Sequence, residues 1–219
     1  MRRAGLASCR RSRLSSNVMP LEATLLQSER WMDDCVARVN TLSVPTTNRA
    51  RVAAALHQLS IEHYTGIHVL VRTGVYSAAF ALYRPQLEAF VRAAWYHRCA
   101  SDDQISDLIS GGEAPSPKVQ MMDLERTGAV DPGSLIRLKD MTWKHLCDFT
   151  HGGSLQVKVR AATVGEIRQD FRPEHVAALL LSSATTALLA GAGLASVAER
   201  EVVALELQHA YRTAFEQAA

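Results

Sequence analysis

Between Val176 and Ala198 the chain carries no charged side chain. A run of this length restricts the fold to two solutions: an apolar helix of about 20 residues either spans a bilayer or fills the centre of a helical bundle. Ser182, Ser183, Thr185, Thr186 and Ser196 break up its apolar character, and neither an aromatic belt nor a basic flank of one sign accompanies it. Those features favour a buried helix over a membrane span. The segment Pro173 to Gln217 is expected to be helical, with a bend or turn at Gly191 and Gly193.

A second stretch, Ser77 to Arg98, is apolar or small on nearly every face when read at about 100° per residue, which marks a buried central helix. Arg84, Glu88 and Arg92 break that rule. They recur every four residues, a spacing that stacks side chains on one face and sets Glu88 between two guanidinium groups. Pro85 removes one backbone hydrogen bond and disfavours helical geometry at Arg84. A kink or break is expected there, with a freed carbonyl facing the polar stripe.

The remaining segments also read as helices. Leu21, Leu25, Met32, Cys35, Val36 and Val39 recur at helical spacing, and Thr46-Thr47-Asn48 caps a long helix ended by Gly74. Ser101 caps a short helix, Ser116-Pro117 starts another, and Asp131-Pro132-Gly133 is turn chemistry. A helix from about Ser134 stops at Gly152-Gly153. Leu155 to Arg160 alternates apolar and basic residues, yet a lone strand would have no partner, so a short helix is expected.

Composition sets the outer limits. Of the net charge of +2, five arginines (Arg2, Arg3, Arg10, Arg11, Arg13) lie in residues 1–18, and removing them leaves −3 for the remainder. Residues 1–18 therefore read as a basic, disordered tail or an extension upstream of a start at Met19, and 19–219 as one domain. A mildly acidic domain does not advertise nucleic-acid or anionic-membrane binding. Cys9, Cys35, Cys99 and Cys147 form no CxxC pair, which suits a reducing, cytoplasmic setting. The expected architecture is an all-α, single-domain antiparallel helical bundle, kinked around Pro85.

Candidate site residues follow from polar groups placed against apolar faces. Ile136, Trp143, Leu146, Cys147 and Thr150 form the expected core side of their helix, with Lys139 among them and Glu88 its most economical partner. That pairing would join Arg84, Glu88, Arg92, Lys139 and Trp143 in one polar pocket, bordered by His151, Gly152 and Gly153. The set either fixes helix register or binds an anionic ligand through arginine. Asp148–His151 and Glu206–His209, with Glu62 and Glu88, are the residue types of a di-metal bundle. Asp148, however, falls on the polar side of its helix, so neither metal nor cofactor is expected.

The segments Arg84 to His97 (RPQLEAFVRAAWYH) and Thr150 to Gly153 (THGG) resemble a group of uncharacterised bacterial all-helical proteins. More loosely, the chain is similar to AbiV-like abortive-infection proteins and to HEPN-type helical ribonucleases. The HEPN resemblance rests on Arg92 and His97, spaced as in the Arg-x4–6-His motif, although Ala93 stands where that motif usually has a polar residue. The same spacing recurs at Arg51–His57 and Arg168–His175. Two functions are implied. One is a binding or interaction protein, in bacterial defence or stress, that forms a homodimer and has an RNA or protein partner. The other is a metal-independent ribonuclease in which Arg92 positions phosphate and His97 serves as acid and base.

Overall fold

Side-chain caps open two of the helices, and a left-handed glycine follows several of them. The computed structural model describes residues 20–161, 165 and 167–215; the tail expected for residues 1–18, with Cys9, lies outside them. Among the described residues there are nine helices and no strand: α1 (Leu21–Val39), α2 (Asn48–Arg72), α3 (Tyr76–Arg98), α4 (Asp102–Ile109), α5 (Pro117–Arg126), α6 (Ser134–Thr150), α7 (Ser154–Lys158), α8 (Pro173–Val197) and α9 (Glu201–Phe215). At the start of α2, Thr47 Oγ1 accepts from the Ala50 N–H at 3.3 Å. Ser101 and Gln104 form a reciprocal capping box at α4, with bonds of 3.2 and 2.8 Å. Gly152 follows α6 with φ 70°, the left-handed conformation that a glycine adopts without steric cost. The alternating segment after it forms α7, a short helix.

The charge-free segment lies at the centre. Along α8, Val176, Leu180, Ala184, Ala187, Ala190 and Ala195 are fully buried. The helix is long and apolar enough to cross a membrane, and here it packs against α1, α2, α3 and α9. The helix is continuous through Gly191 and Gly193, so the chain does not turn there. It runs on to Val197, and the chain turns where Glu199 takes φ 55°. The glycines serve close approach instead. A Cβ at Gly191 would lie 3.0 Å from Leu207 Cδ1, and one at Gly193 would lie 2.3 Å from His57 Cε1.

The first core fills the space among α1, α2, α8 and α9, around Trp31, Tyr64, Leu194 and Leu207. Its α1 face differs from the apolar set read from spacing. Thr24, Gln27, Ser28 and Trp31 are buried with Cys35 and Val39, while Leu25, Met32 and Val36 are only partly covered. Thr24 Oγ1 donates to the Pro20 carbonyl at 3.3 Å, and Ser28 is accommodated by bonds across to α2. Tyr64 Oη donates to the Ser28 carbonyl at 2.8 Å, and Ser28 Oγ lies 2.8 Å from Tyr64 Oη and 2.9 Å from His68 Nδ1. With the tyrosine proton committed to the carbonyl, Ser28 donates to Tyr64 and the His68 proton sits on Nδ1. His68 Nε2 is then a bare lone pair, and it has no partner.

α3 lies between this core and a smaller layer. On one side it meets α2 and α8; on the other, α5 and α6 pack over Leu87, Val91, Trp95, Met121 and Leu124. Gln86 is wholly buried and ties α3 to α8: its Nε2 donates to the Ser183 carbonyl at 2.9 Å, and Ser183 Oγ donates back to its Oε1 at 2.6 Å. The helix continues through Pro85 without a break. Proline has no N–H for the Ala81 carbonyl four residues back. Thr150 Oγ1, from the end of α6, reaches that carbonyl at 3.3 Å and shares its proton with the Leu146 carbonyl at 2.8 Å. The freed carbonyl thus helps dock α6.

Candidate functional site

Arg84 is the hub of the expected polar stripe. Its Nε donates to Glu88 Oε1 at 2.8 Å, and one terminal nitrogen reaches Cys147 Sγ at 3.3 Å and His151 Nε2 at 2.8 Å. Its guanidinium carbon lies 5.2 Å from the centre of the Trp143 ring, a cation–π contact. The arrangement follows from register. Arg84 and Glu88 share a face of α3, and Trp143, Cys147 and His151 follow one another every four residues along α6. Gly152 and Gly153 complete the α6–α7 turn beside it, where a Cβ on Gly153 would collide with Asp148.

Other members of the expected pocket are placed differently. Arg92 does not flank Glu88; its Nε is buried with no hydrogen-bond partner. Lys139 does not pair with Glu88, because Arg84 already occupies that carboxylate. Its ammonium sits 3.9 Å from Asp140 and 5.8 Å from the centre of the Trp143 ring. The expected core side of α6 is mostly half-buried, with Leu146 its one buried residue among those described. The Arg84 cluster is therefore a satisfied joint between α3 and α6: every polar group it gathers already has a partner within the chain.

A second candidate site lies further along α3. A cavity of about 260 Å³ is lined by α2, α3, α5, α8, the start of α6 and the α5–α6 connection, and most of its wall is apolar: Phe90, Val91, Leu124, Val130 and Leu135. Its polar lining is His57, His97, Arg98 and Ser196, with no carboxylate among the lining residues. Arg98 and Leu189 are exposed and mark its mouth. His57 is only 1% exposed, and its Nδ1 has no hydrogen-bond partner. Its ring lies 6.2 Å from that of Phe90 and against the bare backbone of Gly193.

Arg98 supplies the formal charge among the lining residues, and the two histidines are held toward their neutral forms. Burial pushes the His57 imidazole down to about 3, and the nearby His97 and Arg98 push in the same direction. His97 is lowered as well, by burial and then by Arg98 and Arg49. The nearby acids are engaged elsewhere. Asp102 pairs with Arg49 at 2.7 Å, and Asp123 takes Arg126 at 2.8 Å and the Trp95 indole N–H at 3.0 Å. Arg98 enters no ion pair among the described residues.

Sequence reasoning reached His97 through its spacing from Arg92, but in the structure its cavity neighbours are His57 and Arg98, and Arg92 is not part of the lining. His57 was in view only as half of another Arg–His spacing. A usable signal existed: His57 occupies the stripe Ala53, His57, Ser60, Ile61 and Tyr64, all buried on α2. The half of the site contributed by Gly193 had no signal, since its role is to lack a side chain opposite a residue far away in sequence.

Among the described residues, no three His, Cys, Asp or Glu side chains converge as metal ligands would. Cys35, Cys99 and Cys147 are free thiols. No curated protein and no solved structure matches the chain. A family model does, and its match begins at His57 and takes in α3 through α9. Over residues 57–218, the chain belongs to the family of unknown function DUF6988.

Proposed function

We propose that this protein is a small-ligand-binding module whose site is the cavity between α2, α3, α5 and α8. One observation carries the reading. The buried His57 imidazole, together with His97, Arg98 and Ser196, lines a mostly apolar cavity large enough for a compact organic molecule. In the Arg84 cluster, where a site was expected, Arg84 is bonded to Glu88, Cys147 and His151, which suits a structural joint better. The ribonuclease reading lacks comparable support. α3 is a regular helix through both residues, so five positions set Arg92 and His97 about 140° apart.

The test uses indole, a neutral apolar probe, and ligand-observed NMR on the full chain. Indole is expected to bind and to shift the His57 ring resonances. Gly193→Ala fills the space against His57 and should abolish binding. Because that variant could also perturb folding, Ala192→Leu, which narrows the wall from a half-exposed position, serves as the second variant. Loss of binding in both, with native far-UV CD, supports the reading; no indole binding to the wild type, or equal binding in the narrowed variant, refutes it.

A further inference from the structure

We infer that the cavity takes a small organic acid, with its apolar body inside and its carboxylate held at the mouth by Arg98 and His97. The inference rests on the cavity being a ligand site and adds the chemical class. Three observations lead to it. The volume of about 260 Å³ exceeds the ~150 Å³ that accepts benzene, leaving space for one ring or a short branched chain with an arm. The wall is apolar apart from three nitrogen-bearing side chains and one hydroxyl. No acid is among the lining residues: Asp102 and Asp123 are paired to other arginines, and Glu125 accepts from the Leu135 and Ile136 N–H groups at 2.8 and 3.1 Å.

Arg98 is the group best suited to the anionic head. A guanidinium binds a carboxylate through two parallel hydrogen bonds, and Arg98 has no carboxylate of its own. The titratable and charged groups around the cavity are His57 and Arg49 from α2 and His97 and Arg98 from α3. Among the lining residues, α5, α6 and α8 bring none. A neutral guest would leave the Arg98 guanidinium without a counter-charge. An anionic guest neutralises it, and both histidines then become easier to protonate.

The experiment compares 3-phenylpropanoate with its uncharged amide, 3-phenylpropanamide, on the full chain. Binding is followed by calorimetry, and the His57 and His97 ring resonances are followed through a pH titration. The carboxylate is expected to bind at least ten times more tightly than the amide and to move both histidine titrations upward. Arg98→Gln should erase that difference while leaving the amide's affinity unchanged. Equal affinity of acid and amide, with indole still entering the cavity, overturns the inference and leaves the binding reading intact. Failure of all three compounds to bind overturns both.

Discussion

At the scale of single residues, His57 and Arg92 are two buried groups with unsatisfied nitrogens, and they lead to different expectations. His57 is neutral in the folded chain and titrates at about 3, while the unfolded chain protonates it near the ordinary value of 6.5. Between those values the unfolded state binds more protons, so stability is fully present above pH 6.5 and is lost as pH falls from there toward 3. His63, His68 and His97 are also lowered and add in the same direction. Urea unfolding at pH 7.5 and 5.0 should show a clear loss on acidification, and His57→Gln should remove the largest single part of it. Arginine offers a paired comparison. Arg84→Met leaves Glu88 and His151 without their partner and should cost about 1–2 kcal/mol. Arg92→Met keeps the length of the side chain and removes an unpaired buried donor, so its urea midpoint should stay within about 0.5 kcal/mol of wild type or rise.

At the scale of elements, what spacing could reveal was local and what it missed was mutual. The capping box at Ser101, the left-handed Gly152 and the short helix after it were legible because each depends on residues within one or two turns. Even the carbonyl freed by Pro85 followed from sequence. Its acceptance of a bond from Thr150 did not, because it requires knowing that the end of α6 docks there. Periodicity gives the face of a helix but not the neighbour opposite, which is why Glu88 was assigned to Lys139 when Arg84, four residues back on the same helix, holds it. The buried face of α1 was misread for the same reason: Ser28 is at home in a core only because Tyr64 and His68 are across from it. The α3–α8 joint gives a direct check. Ser183→Ala strips the donor from Gln86 Oε1 and leaves that oxygen buried and unpaired, at a cost of about 1–3 kcal/mol in chemical denaturation. Thr150→Val, which keeps the shape and removes the bond to the Ala81 carbonyl, should cost about 1 kcal/mol and loosen α6 first.

At the scale of the whole molecule, burial is uneven. α8 is enclosed by four other helices, whereas α6 buries only Leu146 among its described residues. Leu180→Ala, in the wholly buried part of α8, should destabilise the bundle by about 2–5 kcal/mol. Amide exchange should protect α8 to the level of global unfolding, while α6 and α7 exchange through smaller openings. The enclosure of α8 also sets an order of events during synthesis. α1, α2 and α3 leave the ribosome long before Pro173–Val197 exists, and the sides of Trp31, Ala53 and Ala79 that this helix will cover must wait in water. The nascent chain therefore displays a long apolar seam with nothing yet to close it, and the cell must shield that seam until α8 arrives.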